Sequence, residues 1–254
     1  MPRFFVLSNE IEDGVVTLKG DDAHHVAYSL RLAAGEHITV VCDGVAYDCT
    51  LEAFSSDKSK PWVTARVCAA YPVDTEPPYE AVLYQALPKG DKLDTIIQKA
   101  VECGASRVIP FESSRCIARA KPEAEIRKTE RRQRISEEAA KQCGRGMIPE
   151  ILPTVSFNAM LETASQADLV LFCYEADGTL PLPRVLNDRL PIISPTESRP
   201  TVAIIVGSEG GFSPDEAAEA ARRGFAMIGL GKRILRCETA PSFVLSCLSY
   251  QYEL

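Results

Sequence analysis

The sequence predicts a two-domain α/β protein with a small N-terminal β-barrel-like unit and a larger C-terminal domain built on a parallel β-sheet. Short apolar stretches separated by turn residues fill the first part of the chain. Strands then alternate with helices, and "TVAIIVG" is nearly all apolar, as in a parallel strand covered on both faces. The stretch "PVDTEPPY" between these parts has the composition of a linker. We therefore place the two domains at residues 1–72 and 79–254.

The N-terminal unit is predicted to contain one helix among its strands. The strand segments are "RFFVL", "HITVVCDGVAYDCTLEAF" and "KPWVTARVCAAY". The second of these is a hairpin, because Asp43-Gly44 is a strong signal for a two-residue turn. The helix is "DDAHHVAYSLRLAAGE", with acids in its first turn and Gly35 beyond its end.

The C-terminal domain is predicted to alternate five strands with five helices. The strand segments are "EAVLYQAL", "SRVIPF", "ADLVLFCYE", "TVAIIVG" and "FAMIGLG". The helical segments are "GDKLDTIIQKAVECG", "PEAEIRKTERRQRISEEAAKQCGR", "FNAMLETAS", "SPDEAAEAARRG" and "TAPSFVLSCLSYQYEL". Ser213 and Glu216 form a capping-box pattern at the fourth helix. The Pro-rich stretch Asn187–Pro200 is predicted to be a surface loop.

Three predicted strand ends carry residues that indicate a ligand site, since open parallel sheets bind ligands beyond the carboxyl ends of their strands. They are "VGSEGGFSPDE", "GLGKRILRCETA" and, more weakly, "LFCYEADG". Their glycines let backbone approach a ligand closely. Neither a Walker loop nor a G-x-G-x-x-G fingerprint is present. From these residues alone, a simple strand-to-helix turn and a basic surface loop remain open alternatives.

Charge and cysteine content limit the class of protein. The net charge of −7 argues against a general nucleic-acid coat. From Arg107 to Arg145, however, the chain contains eleven lysines and arginines but only six acidic residues. This run is either a solvated helix face or a phosphate-binding surface.

Nine scattered cysteines without C-x-x-C spacing are typical of reduced, buried thiols. Adjacent His24 and His25 cannot share one helical face, so no metal is predicted.

The N-terminus lacks the apolar run of a signal peptide, and no segment is long enough to span a bilayer. The sequence therefore predicts a cytoplasmic protein with no membrane partner.

Four segments in this order resemble the RsmE family of ribosomal RNA methyltransferases, within the SPOUT superfamily. They are "HHVAYSLRL", "EEAAKQCGR", "IVGSEGGFSPDE" and "LGKRILRCETA". The resemblance covers nearly the whole chain. It implies a PUA-like N-terminal barrel that helps bind RNA, and a SPOUT domain with a deep trefoil knot at about 201–245. It also implies a homodimer with its site at the subunit interface.

The activity implied by the resemblance is S-adenosylmethionine-dependent methylation of N3 of one uracil, position 1498, of 16S rRNA in the small ribosomal subunit. The implied catalytic residues are Arg236 and Glu238. The implied cofactor-binding residues are Tyr174, Gly207, Glu209, Gly210, Gly211, Leu230, Gly231, Ile234, Leu235, Thr239 and Ala240. The implied RNA-binding residues are Arg3, His25, Arg31, Lys89, Lys92, Arg131, Arg132, Gln142, Arg145 and Arg233.

The chemistry of uracil sets the roles of the two catalytic residues. N3 is a poor nucleophile until it loses its proton, so Arg236 is expected to stabilise the deprotonated base by charge-assisted hydrogen bonds. Glu238 is a candidate base, and holding the loop is an equally good role for it. Two positions depart from the family pattern: Ser208 stands where proline is usual, and Cys143 where serine is common. The alternatives are a non-catalytic RNA-binding protein on the same fold and a nucleotide-dependent α/β enzyme of another kind.

Overall fold

The computed structural model describes residues 1–176, 178–189 and 199–254 and divides into two compact units. The first comprises Met1–Glu76 with Ala140–Met147, and the second comprises Pro77–Ala139 with Ile148–Leu254. The two sequence-based domains did not assign 140–147 to the first unit. That segment joins it because hydrogen bonds from its backbone and side chains reach residues near both ends of Met1–Glu76.

The first unit contains one six-stranded sheet. Its strands are β1 (Arg3–Phe5), β2 (Ile11–Glu12), β3 (Val15–Lys19), β4 (His37–Cys42), β5 (Val45–Phe54) and β6 (Trp62–Pro72). The order is β1-β4-β5-β6-β3-β2, and β1 with β4 is its parallel pair. The pairings found among the described residues form an open path with β1 and β2 at its edges.

Two of the hairpins in this sheet turn at Asp-Gly pairs. The predicted hairpin at Asp43-Gly44 is confirmed, and its φ angles of 47° and 76° fit a turn with two left-handed residues. A second hairpin, β2–β3, turns at Asp13-Gly14 with φ angles of 49° and 73°. This second turn was not predicted, although its sequence carries the same signal.

The predicted N-terminal helix is shorter than expected. It consists of α1 (Gly20–His24) followed by one wide π-type turn over His25–Ser29. The backbone then leaves the helical region, because Arg31 has a φ of 56°.

The second unit contains one fully parallel sheet, as predicted. Its strands are β7 (Glu80–Ala86), β8 (Ala105–Glu112), β9 (Glu150–Ile151), β10 (Val155–Ser156), β11 (Leu169–Cys173), β12 (Leu180–Pro181), β13 (Thr201–Val206) and β14 (Ala226–Gly229). The order is β10-β8-β7-β13-β11-β14-β12, with β9 beside β8. Its helices are α2 (Lys92–Glu102), α3 (Pro122–Cys143), α4 (Phe157–Ala164), α5 (Leu182–Arg189), α6 (Pro214–Arg222) and α7 (Ala240–Tyr252).

Apolar periodicity explains the core of this unit. The segment 202–206 of the central strand β13 is buried on both faces, with 0–3% of each residue exposed. The predicted apolar face of α2, which includes Ile96 and Ile97, is buried. The capping box of α6 is confirmed: Ser213 Oγ accepts from the N–H of Glu216, and the Glu216 carboxylate accepts from the N–H of Ser213.

Part of the predicted loop Asn187–Pro200 is helical instead. Residues 187–189 form the last turn of α5, which the proline content had concealed, and residues 190–198 lie outside the described residues. Among the helices described, none is long and apolar enough to cross a membrane.

Candidate active site

The three strand ends singled out in the sequence meet at one pocket of the second unit. The pocket has a volume of about 740 Å³ and is lined by the segments that follow β11, β13 and β14. These strands are consecutive neighbours in a parallel sheet, so their carboxyl ends lie at one edge. A pocket of this size lies within the range of about 300–1,000 Å³ found for small-molecule sites.

The first wall is the reversal after β13, a tight turn from Ser208 to Gly211. The N–H of Gly211 donates to the carbonyl of Ser208 at 2.9 Å, and Gly211 has a φ of 61°. A Cβ on Gly207 would lie 3.0 Å from the Cα of Gly211. The close backbone approach therefore favours glycine at position 207, since a larger residue would displace the turn.

The second wall is the segment between β14 and α7. Gly231 has a φ of 92°, and the N–H groups of Thr239 and Ala240 both donate to the carbonyl of Arg236. Leu230 and Leu235 pack against the core of the unit. Ile234 instead keeps 82% of its surface exposed at the pocket. The segment thus presents both apolar surface and cations to the cavity.

Ion pairs connect the acids of the pocket to Lys92. Its Nζ lies 2.8 Å from Glu209 Oε1 and 3.4 Å from Glu238 Oε2. Hydrogen bonding to Glu209 raises the pKa of Lys92 above its ordinary value. Burial would raise the pKa of Glu209, but bonds from Lys92 and from backbone N–H groups outweigh it and lower that pKa. Both Lys92 and Glu209 are therefore charged at neutral pH.

Glu238 is a weaker base than an ordinary carboxylate. Its own backbone N–H, the Cys237 thiol and Lys92 all stabilise the charged form and lower its pKa. Cys237 donates its S–H to Glu238 at 3.2 Å, and burial followed by this bond raises the pKa of the thiol to about 12. Glu238 also lies 4.0 Å from Nη1 of Arg236. The electrostatics favour the holding role for Glu238 over the role of general base.

The structure brings most of the predicted catalytic and cofactor residues to this pocket. Those that line it are Tyr174, Gly207, Glu209, Gly211, Leu230, Gly231, Ile234, Leu235, Arg236, Glu238 and Ala240. Two of the RNA-binding candidates, Lys92 and Arg233, line it as well. Gly210 and Thr239 do not belong to the lining. The Gly210 carbonyl instead accepts from Arg115 Nη1 at 3.1 Å.

Several lining residues were not among the individually predicted site residues, although all but Arg115 and Thr179 lie within the three strand-end segments. They are Arg115, Cys173, Glu175, Ala176, Thr179, Val206, Phe212, Lys232 and Cys237, together with Ser208, which stood out only as a departure from the family pattern. Arg115 follows β8, a neighbour of β7 in the same sheet. Applying the strand-end rule to β8 as well would have found it.

Two buried polar atoms near this pocket have no hydrogen-bond partner among the residues that the structure describes. They are Oγ of Ser208, which lines the pocket, and Oε1 of Gln85. Nε2 of Gln85 donates to the carbonyl of Gly207 at 3.2 Å, so this side chain supports the first wall. Orphan polar atoms of this kind are rare in folded proteins and mark a region that can satisfy polar groups of a ligand.

The RNA-binding candidates of the first unit fall into two groups. His25, Arg31 and Gln142 are exposed. Arg3 and Arg145 instead make contacts within the unit: half-buried Arg3 donates to the carbonyls of residues 144 and 145. Arg145 keeps 4% of its side chain exposed and pairs with Glu76 at 2.6 Å. Its guanidinium therefore forms a buried ion pair, and the RNA contact implied for Arg145 stays a prediction.

The neighbouring candidates Arg131 and Arg132 of α3 have opposite environments. Arg132 is 8% exposed and pairs with Glu125, and the RNA contact implied for it stays a prediction. Arg131 is exposed and pairs with Asp94. With Arg127 and Arg134 it occupies positions i, i+4 and i+7, so three exposed arginines share one face of the helix. Lys89 is exposed as well.

Comparison with known proteins places this pocket in a family context. Residues 75–249 match the model of an RNA methyltransferase domain. The chain is 32% identical to the ribosomal RNA small subunit methyltransferase E of Bacillus subtilis, with 100% of this chain and 98% of that protein covered.

Two solved structures share this fold over nearly the whole chain. One is a ribosomal RNA small subunit methyltransferase E of Neisseria gonorrhoeae bound to S-adenosyl methionine, with 28% identity, a TM-score of 0.80, and coverage of 99% and 98% of the two chains. The other is a Legionella pneumophila methyltransferase in complex with bound SAM, with 28% identity, a TM-score of 0.83, and coverage of 98% and 97%.

Proposed function

Because the chain belongs to the ribosomal RNA small subunit methyltransferase E family, we propose that it transfers a methyl group from S-adenosylmethionine to 16S rRNA of the small ribosomal subunit. The observation that carries the proposal is the convergence of three predicted strand ends on one pocket, in a chain similar to such enzymes over its full length. The finer assignment, N3 of uracil 1498, rests on the resemblance of the motifs. The cytoplasm, where ribosomes assemble, is the proposed location.

The residues of the pocket fit S-adenosylmethionine. The space is adequate, backbone approaches closely at Gly207, and the orphan Oγ of Ser208 is a polar atom that a ligand could satisfy. Leu230 and Leu235 would supply apolar surface to the adenine of the bound cofactor. The carboxylates of Glu175 and Glu209 offer negative charge to a cationic ligand. When bound, S-adenosylmethionine supplies an electrophilic methyl carbon.

The residues of this chain then act on the uracil. Arg236 keeps 84% of its side chain exposed at the pocket and is the proposed donor to O2 or O4 as N3 loses its proton. Glu238 holds Arg236 and Lys92 by charge, in accord with its lowered pKa. The proton of N3 is released to solvent in this scheme, since Glu238 is a poor base. Positioning of base and methyl carbon in line supplies much of the remaining acceleration.

The proposed RNA contacts combine the pocket mouth with the arginine face of α3. Arg233 lies at the mouth, and Arg127, Arg131 and Arg134 are exposed on the helix. A single-stranded or flipped-out target base is required, because N3 is paired in a duplex. On the first unit, His25, Arg31 and Gln142 are exposed and are proposed as further RNA contacts. An assembled small subunit is the proposed form of the substrate.

A homodimer is part of the proposal, and the last helix offers it a surface. On α7, Phe243 and Tyr250 are exposed seven residues apart, while Val244, Leu245 and Leu248 are buried on the other side. We also propose, on family grounds, that the first unit is a PUA-like barrel and that a trefoil knot spans about 201–245. Closure of the barrel goes beyond the open strand path described above.

Mass analysis of small-subunit RNA from cells with and without the protein tests the proposed function. Loss of one methyluridine in the deletion strain, restored by the wild-type gene, is the expected result. The Arg236→Ala variant should bind S-adenosylmethionine but fail to restore the modification. Unchanged RNA in the deletion strain would contradict the proposal. A protein that binds RNA but not S-adenosylmethionine would support the non-catalytic alternative, which the family relationship does not favour.

A further inference from the structure

Lys92 contacts both walls of the pocket at once. Its ammonium group lies 2.8 Å from Glu209, in the reversal after β13, and 3.4 Å from Glu238, in the segment after β14. Lys92 itself begins α2, which follows a third strand, β7. One cation thus joins three elements that are far apart in the sequence.

Acidic and basic groups alternate around the Lys92 ammonium. Glu209 also accepts from the backbone N–H of Lys89 at 3.2 and 3.3 Å, which fixes its carboxylate beside α2. On the other side, Glu238 lies 4.0 Å from Arg236. Without Lys92, two carboxylates that share its ammonium would repel each other across the pocket. Lys92 therefore lies between two carboxylates that belong to different walls.

We propose that Lys92 is a positioning residue that clasps the two walls together and, through Glu238, orients Arg236. This differs from the RNA contact that the family resemblance implied for Lys92. That the pocket binds S-adenosylmethionine rests on the proposed function. The ion pairs of the clasp are present in the chain without ligand. The side chains of Lys92, Glu209 and Glu238 keep 26–36% of their surface exposed, so these ion pairs are partly solvated and each is individually weak.

The experiment compares Lys92→Met with Lys92→Arg and with Lys99→Met. Lys99 lies on the same helix and pairs with Glu102 at i,i+3, so its replacement removes an equal charge away from the pocket. Hydrogen exchange in the ligand-free protein is measured for residues 207–211 and 231–238. Lys92→Met should speed exchange in both segments about two- to thirtyfold, the effect of losing two partly exposed ion pairs. Lys92→Arg should restore protection, and Lys99→Met should match the wild type.

Calorimetry with S-adenosylmethionine and without RNA gives the second readout. Lys92→Met should bind S-adenosylmethionine more weakly by a similar factor. Its unfolding temperature should stay close to that of Lys99→Met. In a double-mutant cycle, Glu238→Gln should add little to Lys92→Met, since both break the same clasp. Wild-type exchange in Lys92→Met, or fully additive effects, would overturn the inference. A wild-type chain that binds no S-adenosylmethionine would count against the proposed function, and the exchange data would still decide on the clasp.

Discussion

Arg145 and Glu76 form a two-pronged ion pair within the first unit: Nη2 donates to Oε2 at 2.6 Å and Nε donates to Oε1 at 2.9 Å. The two side chains keep 4% and 11% of their surface exposed. Glu76 also accepts from the backbone N–H of Gly146. This pair attaches residues 140–147 to the segment that ends the first unit.

Breaking that pair should destabilise the protein strongly. In Arg145→Met, the carboxylate of Glu76 is left buried without its guanidinium partner, and such losses cost about 3–5 kcal/mol. Urea unfolding monitored by circular dichroism measures the change. The control is Arg184→Met, which removes an exposed i,i+4 partner of Asp188 and should cost well under about 1 kcal/mol. Equal stabilities of the two variants would contradict the structural role of Arg145.

The arginine face of α3 should control RNA affinity. Replacing Arg127, Arg131 and Arg134 by glutamine should weaken binding of a small-subunit RNA fragment. The slope of log affinity against log salt should fall by about 0.7 for each phosphate that is no longer neutralised. Filter binding at several salt concentrations measures both quantities. Stability should change little because these side chains are exposed. An unchanged salt slope would show that RNA binds elsewhere.

Arg132 is the buried counterpart of the exposed arginines of α3. Because its guanidinium is buried beside Glu125, Arg132→Gln should lower the free energy of unfolding by a few kcal/mol. Thermal unfolding and RNA binding of the same preparation separate the two effects. A variant that keeps its stability and loses only RNA affinity would support an RNA contact by Arg132 and contradict its structural role.

Gly207 should be intolerant of any side chain. In Gly207→Ala, the new Cβ would lie 3.0 Å from Gly211 Cα and 3.2 Å from Phe212 Cε2, so the turn must move. Calorimetry should show at least about tenfold weaker binding of S-adenosylmethionine, since a displaced wall no longer presents its backbone groups to the ligand. In Gly229→Ala, the new Cβ would instead lie 2.7 Å from the Thr179 hydroxyl, which is a side-chain atom. Adding Thr179→Ala should therefore largely restore the affinity for S-adenosylmethionine. Wild-type affinity in Gly207→Ala would exclude this turn from the ligand site.

The pocket thiols should react slowly with alkylating agents. Burial raises the pKa of both Cys173 and Cys237 to about 12, so at pH 8 only a small fraction of either is thiolate. Because a raised pKa keeps the thiol protonated, labelling by iodoacetamide should speed up as the pH rises toward that value. Peptide mass analysis should find exposed Cys68 labelled first. Rapid labelling of Cys237 at pH 8 would contradict this environment.

The sequence by itself determined the main secondary-structure elements and the region of the chain that forms the pocket. Apolar periodicity predicted the buried face of α2 and the doubly covered strand β13, because burial at these positions follows from spacing along one element. Glycine-rich strand ends predicted where the pocket forms, since parallel strands bring their carboxyl ends to one edge.

Only the tertiary structure decided which charges are partners. Arg131 and Arg132 are adjacent in the sequence, yet one is exposed and the other is buried beside Glu125. Lys92 and Glu209 are separated by 117 positions and still share a 2.8 Å contact. No local pattern encodes such pairs, because the partner of a charged side chain is set by the packing of distant elements that bring the two groups together.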